Sequence, residues 1–291
     1  MPNLKMSLSD SAQKFLIENK HVRGVIVHLT HSFKTILSQH TYPPIVQKYL
    51  GEVLLIAVML AETIKLNGRL TIQFQSDSAL KMLVAQINDE GHLRGLAQWD
   101  ASAPMEKLEK GLGEGSLVMT IFQKHQEKPS QSIVPLENRS ITEALTFYFA
   151  QSEQLPTQFA LAVKDDMASG MMLQVLPENT DTKRDAQWAE LSEKMQKLDA
   201  RELFYDNNVS FLQYHFGEDD IRLFDSRDLK FHCGCSVDKM ENAIYVMGQA
   251  EANLILKENA SIVVTCEYCN HHYAFNKEEV EKLFDARRNV H

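Results

Sequence analysis

The feature that most constrains this chain is a set of four cysteines near its C-terminal end, which we call the cysteine cluster. They are its only cysteines, and they form a C-x-C pair, Cys233 and Cys235, and a C-x-x-C pair, Cys266 and Cys269. Two thiolates on each of two turns can supply the four sulfur ligands of a tetrahedral structural zinc site. The preference of thiolates for soft metals makes zinc the leading candidate and an iron–sulfur cluster the second.

The spacing of the cysteine cluster is compatible with three kinds of site. It fits a structural zinc site, and it fits a thiol switch whose four thiolates bind zinc when reduced and pair into disulfides when oxidised. A thioredoxin-like catalytic C-x-x-C fits less well, because Cys266 follows a predicted strand and does not open a helix. Four cysteines allow three disulfide connectivities, and the spacing does not choose between them.

Three histidines flank the cysteine cluster, at His232, His271 and His272. A tetrahedral site is already complete with four thiolates. We therefore expect these histidines to lie near the metal or in solvent and not to act as ligands.

The composition predicts a folded, acidic protein with room for two domains. The chain has 291 residues, 44% of them hydrophobic and 24% charged, and a formal net charge of −9. Acidic charge argues against general binding to nucleic-acid backbones. No signal-peptide pattern opens the sequence, and four paired cysteines favour a reducing compartment, so we expect a cytoplasmic protein. The longest apolar run, residues 53–61, is too short to cross a membrane and predicts a buried helix.

Residues 1–177 are expected to form an α+β domain. Mixed periodicities, in which helical spacing and strand alternation succeed one another, are typical of that class. A long helix is predicted from Pro43 to about Leu66, ended by Asn67 and Gly68. The other predicted helices are 7–18 and 141–151, and the predicted strands are 22–30, 69–75, 80–87, 93–99, 116–122, 158–163 and 171–176.

Residues 178–230, which we call the connecting segment, differ in composition from the residues before them. Of these 53 residues, 21 are Asp, Glu, Lys or Arg. Trp188, Leu191, Met195 and Leu198 keep helical spacing, so the pattern predicts a helical linker with a narrow apolar stripe. Such a segment needs a docking surface. It is either a connector that stays docked or a metastable element that unfolds when the neighbouring domain no longer holds it.

Residues 231–291 are expected to form a small zinc-binding domain. The predicted elements are helices at 237–247, 251–258 and 277–288, with a hairpin that carries the C-x-x-C pair. So few large apolar residues make a thin core, and domains of this size commonly need a metal or disulfides. A four-ligand zinc site would contribute on the order of 10 kcal/mol of folding free energy.

Several segments of the chain resemble the family of the 33-kilodalton heat-shock protein, a redox-regulated molecular chaperone. The most specific mark is the C-x-C and C-x-x-C pairs of the cysteine cluster, about thirty residues apart. The resemblance extends over nearly the whole chain. The other segments that carry it are Val22-Arg-Gly24, Tyr42-Pro-Pro44, Leu50-Gly-Glu52, Leu93-Arg-Gly95, Ser152-Glu-Gln-Leu-Pro-Thr157 and Gly170-Met-Met-Leu-Gln-Val-Leu-Pro177.

The resemblance implies a specific mechanism for this chain. The reduced protein would hold one zinc ion through the cysteine cluster and be inactive. Oxidation would pair Cys233 with Cys235 and Cys266 with Cys269, after which zinc leaves and the small domain and the connecting segment unfold. The protein would then dimerise through its 1–177 substrate-binding and dimerisation domain and hold unfolded or oxidatively damaged proteins without ATP. It would not be an enzyme, and it would bind neither nucleic acid nor membrane.

Two other functions are weighed against the chaperone. One is a zinc-ribbon module that binds nucleic acid or regulates a partner, which the acidic balance disfavours. The other is a thiol–disulfide oxidoreductase that uses Cys266 and Cys269, which a metal-bound reduced form would disfavour.

Overall fold

The computed structural model describes residues 8–109, 112–177, 183–205 and 207–288. The chain forms two compact units, Met1–His232 and Cys233–His291, which we call the first unit and the C-terminal unit. Helices and strands are mixed along both, which confirms the predicted α+β class. By its contacts, the described part of the connecting segment belongs to the first unit.

The first unit contains a five-stranded antiparallel sheet, which we call sheet one. Its strand order is β10-β1-β2-β9-β8. The strands are β1 Ser11–Ile17, β2 Val22–Leu29, β8 Thr157–Lys164, β9 Met167–Val175 and β10 Ile221–Asp228.

A six-stranded sheet, sheet two, completes the strands of the first unit. Its order is β11-β5-β4-β3-β6-β7, and all its pairs are antiparallel except β11 with β5. The strands are β3 Gly68–Gln75, β4 Leu80–Asn88, β5 His92–Trp99, β6 Ser116–Gln123, β7 Ser130–Pro135 and β11 Lys230–Phe231. The described helices before the connecting segment are α1 His31–Leu37, α2 Pro44–Thr63, α3 Met105–Glu109 and α4 Ile141–Gln151.

Helix α2 is the centre of the main core. By length and composition it could span a membrane, but 67% of its most apolar window is buried in the protein. Every residue from Val53 to Ala61 is buried, as the apolar run predicted. Gly51 allows a close approach on one side, because a Cβ there would lie 2.8 Å from a methyl group of Val163 and 3.0 Å from Phe33. The hydrophobicity of α2 is therefore used for packing against both sheets.

The connecting segment packs its apolar side chains onto one face of sheet one. Its described elements before β10 are α5 Arg184–Gln196, a 3₁₀ turn Ala200–Phe204 and α6 Asn208–Phe216. Their buried side chains share a second core with residues of β1, β2, β8 and β9. The residues that the segment supplies to this core are Leu191, Met195, Leu203, Phe204, Phe211, Leu212 and Phe216. The predicted apolar stripe is thus confirmed for the described residues.

Two secondary-structure predictions were wrong because tertiary pairing overrides local spacing. The helix predicted over 7–18 is strand β1 over its described part, and residue 7 lies outside the described residues. Ala12, Phe15 and Leu16 have helical spacing, but β1 lies between β2 and β10, which satisfy its backbone on both sides. The end of the connecting segment was predicted as helix and is strand β10.

Element boundaries also differ in two places. Helix α2 ends at Thr63, because Ile64 is already extended, and Gly68 is the first residue of β3 and not a helix cap. The strands predicted over 158–163 and 171–176 are β8 and β9, joined by a tight turn at Asp165 and Asp166. Asp165 has a φ of 52°, a left-handed conformation that aspartate tolerates in tight turns.

The C-terminal unit is small and has a small core of its own. Its described elements are α7 Val237–Met247, α8 Gln249–Glu258, β12 Ser261–Thr265, β13 His272–Asn276 and α9 Lys277–Arg288. Strands β12 and β13 form the predicted hairpin. Among the described residues, six hydrophobic side chains form the buried core, and they are Ile244, Ala252, Ile262, Phe275, Val280 and Phe284.

Candidate metal centre

The C-x-C half of the cysteine cluster is a tight turn at the start of α7. Gly234, between the two cysteines, has a φ of 56°, in the left-handed region that favours glycine. The Ser236 hydroxyl caps α7 by accepting a hydrogen bond from the Lys239 backbone N–H at 3.4 Å. The Lys239 ammonium group donates to the Gly234 carbonyl oxygen. The turn therefore places the C-x-C pair directly before the first turn of α7.

The C-x-x-C half is the turn of the β12–β13 hairpin. The carbonyl oxygen of Cys266 accepts hydrogen bonds from the backbone N–H groups of Cys269 at 3.3 Å and Asn270 at 2.8 Å. The Cys266 N–H in turn donates to the His271 carbonyl oxygen at 3.0 Å. Asn270 has a φ of 52°, a left-handed conformation that asparagine tolerates better than most residues. These contacts fold the backbone so that both sulfurs point to one side.

The structure brings all four sequence-predicted cysteines together as thiols. Their Sγ atoms all lie within 4.8 Å of one another. The Sγ atoms of Cys233 and Cys266 lie 3.4 Å apart, and those of Cys235 and Cys269 lie 3.6 Å apart, so contacts run between the two halves. A tetrahedral zinc site with bonds of about 2.3 Å has sulfur–sulfur edges of about 3.8 Å. The donor set therefore fits a tetrahedral metal ion, and the four cysteines could hold one.

The protonation of the metal-free thiols is uneven. Burial raises the pKa of Cys233 and also that of Cys269. Burial alone would raise the pKa of Cys235 as well, but hydrogen bonds from the Tyr273 hydroxyl and the neighbouring thiols outweigh it and lower that pKa. Tyr273 and the neighbouring thiols thus stabilise the thiolate form of Cys235 more than burial opposes it. A bound cation would replace the protons of the neighbouring thiols.

Tyr273 is a contact of the cluster that sequence reasoning missed. Its hydroxyl donates to the Sγ atom of Cys235 at 3.1 Å, and this bond raises the pKa of Tyr273 to about 12. The residue lies on β13, four positions after Cys269, and the only signal in the sequence was its aromatic character in a predicted hairpin. Such donors to ligand atoms hold ligands in place and tune their basicity.

The three flanking histidines lie outside the group of four sulfurs, as predicted. All three are exposed. The ring of His232 lies against the ring of His92, with centroids 4.6 Å apart, and a ring nitrogen of His272 lies 2.8 Å from the Thr265 hydroxyl. The described groups that could hold a metal ion include none of them.

Polar contacts in the first unit fasten the connecting segment to sheet one. The ammonium group of Lys20 lies 2.8 Å from a carboxylate oxygen of Asp219 and 2.9 Å from one of Glu190. The Asp219 side chain is only 3% exposed. Burial alone would lower the pKa of Lys20, but the two carboxylates outweigh it and raise that pKa. One lysine beside the β1–β2 turn therefore binds both α5 and the turn before β10.

A buried polar network makes a second set of contacts. The His28 ring bonds the Asn208 side-chain oxygen at 2.9 Å and the Ser169 hydroxyl at 2.8 Å. The Ser169 hydroxyl also contacts the Leu203 carbonyl oxygen. Burial lowers the pKa of His28. Asn208 and Leu203 belong to the connecting segment, so the network depends on its docked position.

Comparison with known proteins gives one family. The family model described as Hsp33 protein matches residues 10–276. A protein of Nitrosococcus oceani named 33 kDa chaperonin is 38% identical over 279 residues, covering 96% of each chain. A Pseudomonas aeruginosa protein of the same name is 36% identical over 288 residues, again covering 96% of each chain.

The fold agrees with a solved structure. The crystal structure of the 33 kDa chaperonin, a heat shock protein 33 homologue, from Thermotoga maritima matches with a TM-score of 0.82 at 24% identity. The match covers 96% of this chain and 99% of that one. The family model over most of the chain, the relatives above one-third identity and the shared fold together show that this chain belongs to the Hsp33 family of molecular chaperones.

Proposed function

We propose that the chain is a redox-regulated, ATP-independent holdase whose resting form is reduced and bound to one zinc ion. The observation that carries the proposal is the position of the cysteine cluster. It lies in a unit with a very small core, directly after the segment that covers one face of sheet one. Zinc is the proposed metal because four thiolates in a tetrahedral arrangement suit it best.

Metal binding is proposed to supply most of the folding free energy of the C-terminal unit. Six buried hydrophobic side chains, one of them an alanine, form the core of its described part. Units of this size rarely fold on such a core alone. Zinc bound by four thiolates contributes on the order of 10 kcal/mol. Losing the metal would therefore leave the unit unable to stay folded.

Oxidation is the proposed trigger for metal release. The pairs proposed from the family resemblance are Cys233 with Cys235 and Cys266 with Cys269. In each pair two metal-bound thiolates lose two electrons as one S–S bond forms, and one molecule of hydrogen peroxide accepts these electrons with two protons from solvent to become two molecules of water. A disulfide sulfur is a poor metal ligand, so two such bonds remove the whole ligand set.

Release of the connecting segment is the proposed step that links metal release to client binding. The chaperone family implies binding to unfolded proteins. The face of sheet one under the connecting segment is rich in buried apolar side chains, among them Phe15, Ile17 and Met171. Unfolding the segment would expose this face and the segment's own apolar stripe, while its many charges keep the complexes soluble. The active form is proposed to be a cytoplasmic homodimer whose partners are unfolded or oxidatively damaged proteins, with no nucleic acid or membrane.

The experiment that tests the proposal compares two forms of one preparation. Reduced, zinc-loaded protein should fail to suppress aggregation of a chemically denatured client. Peroxide-treated protein should suppress it without ATP, after releasing about one zinc ion per chain to a chromogenic chelator. Equal protection by both forms, or protection without zinc release, would overturn the switch.

A further inference from the structure

We propose that the edge of β1, once β10 has left it, binds client proteins by strand addition. The occupant would be an extended segment of an unfolded protein with apolar residues at alternate positions. This inference rests on the proposed function, because β10 belongs to the connecting segment whose release that function requires. Strand addition at a sheet edge is a general mode of peptide recognition.

Strand β10 already shows what this edge accepts. It is the end strand of sheet one and pairs antiparallel with β1, from Ile17 opposite Ile221 to Ser11 opposite Asp228. The side chains of Ile221 and Leu223 pack against the second core, whereas Arg222 and Phe224 between and after them are exposed. The edge therefore has apolar sites for two alternate residues of an incoming strand.

The pairing of β10 with β1 is imperfect along its length. Four of its eight residues are charged, and its pairing with β1 is interrupted by a bulge between Leu223 and Ser226. The bulge disrupts the ladder locally, whereas two of the charges hold the strand in place through ion pairs, Arg222 with Glu18 at 3.1 Å and Arg227 with Glu62 at 2.6 Å. A client segment with apolar residues at the two positions of Ile221 and Leu223 and no bulge would form an uninterrupted ladder with β1.

Recognition through the backbone would also allow this edge to bind client segments of many different sequences. The hydrogen bonds of a strand ladder come from main-chain groups that every residue except proline carries. Two sites for apolar side chains restrict the sequence of the client segment only weakly. The backbone hydrogen bonds and the two apolar sites together select for unfolded, extended and moderately apolar chains. Damaged client proteins have these properties.

The direction of the backbone groups makes a sharp test possible. The Glu18 N–H donates to the Asp220 carbonyl oxygen at 2.8 Å, so the backbone of Asp220 faces β1. In an antiparallel pair, both backbone groups of every second residue face the same neighbour. Arg222, which lies opposite Leu16, therefore directs its N–H to β1, and the N–H of Leu223 points away from it.

The test uses full-length protein and three synthetic peptides with the sequence of residues 219–229. One is unmodified, one carries a backbone N-methyl group at Arg222, and one carries it at Leu223. The methyl group at Arg222 removes a ladder hydrogen bond and blocks close approach, which should weaken binding at least about tenfold. The methyl group at Leu223 should have little effect. Fluorescence anisotropy measures binding to peroxide-activated protein, and client aggregation measures competition.

The outcomes separate this inference from the proposed function. It is supported if activated protein binds the unmodified and Leu223-methylated peptides, binds the Arg222-methylated peptide at least about tenfold more weakly, and loses client protection as peptide is added. It is overturned if the three peptides bind alike, or if none binds while activated protein still protects clients. Absence of client protection before any peptide is added would overturn the proposed function instead, and anisotropy would still decide on the edge.

Discussion

The two units of this protein reach a folded state by different means. In the described part of the first unit, forty buried hydrophobic residues, those of α2 among them, form one core, and sixteen more form the core that the connecting segment shares with sheet one. The described part of the C-terminal unit has six, together with four sulfurs within 4.8 Å of one another. Apolar burial does not respond to oxidants, whereas thiolate ligands do. Under the proposed function, a redox signal would unfold one unit and leave the main core of the other intact.

Under the proposed function, the connecting segment would depend on both kinds of stabilisation. Its apolar side chains and ion pairs hold it on sheet one, and its last strand leads through β11 into Cys233. Its helices are short and would be marginal in isolation. The comparison therefore predicts how strongly changes at different positions alter folding stability and the threshold for activation. The largest effects are expected at the metal ligands, smaller ones at the surface on which the connecting segment docks, and the smallest at the titrating groups beneath that segment.

The largest effect is expected from Cys266→Ser. Loss of one of four thiolate ligands should remove most of the metal affinity, and with it folding free energy on the order of 10 kcal/mol in the C-terminal unit. Backbone NMR or circular dichroism of the reduced protein should show that unit unfolded and the first unit retained. The control is Val263→Thr, an exposed position on the strand before Cys266. A folded, metal-loaded Cys266→Ser protein would contradict the account.

The gathering of the cysteine cluster was predictable from sequence because metal ligands follow spacing rules that do not depend on the rest of the fold. Helices α2 and α4 were predictable for a related reason, since a long apolar run and a Ser140 capping box are local signals. Strand β1 was not predictable, because its partners β2 and β10 lie on distant parts of the chain. Strand β7 was missed because it is mostly exposed and lacks alternation.

A large effect within the first unit is expected from Phe216→Ala. Phe216 is fully buried between α6 and sheet one, and truncation of such a side chain costs about 3–5 kcal/mol. The connecting segment should then detach at a lower peroxide concentration, or without oxidation, measured as client protection by reduced protein. Tyr214→Ala on the same helix is the control, because Tyr214 is 78% exposed. Identical activation thresholds for the two variants would argue against release of α6.

A somewhat smaller effect is expected from Lys20→Met. The variant leaves the carboxylate of Asp219 buried without its nearest cation, at a cost of about 2–3 kcal/mol after allowance for the half-exposed Glu190. Chemical denaturation and the peroxide threshold should both shift toward easier release. Lys34→Met, which removes an exposed ion pair with Asp166, is the control and should change stability by less than about 1 kcal/mol.

The smallest effect is a pH dependence from His28. Burial lowers its pKa in the folded protein, so its contribution to stability is present above the ordinary histidine pKa and is lost as the pH falls toward the lowered value. Docking of the connecting segment should weaken by about 1 kcal/mol between about pH 7.5 and about pH 6. Burial also lowers the pKa of His215, so His28→Gln should reduce this slope without abolishing it. The exposed His271→Gln variant should keep the full slope.

The central claim is that a metal held by the cysteine cluster keeps both the C-terminal unit and the connecting segment folded. Hydrogen–deuterium exchange of reduced protein, measured with zinc bound and after removal by a strong chelator, tests it most directly. The account predicts loss of protection throughout residues 233–288 and in α5, α6 and β10, while α2 stays protected. Unchanged protection of α6 and β10 after complete metal removal would contradict it.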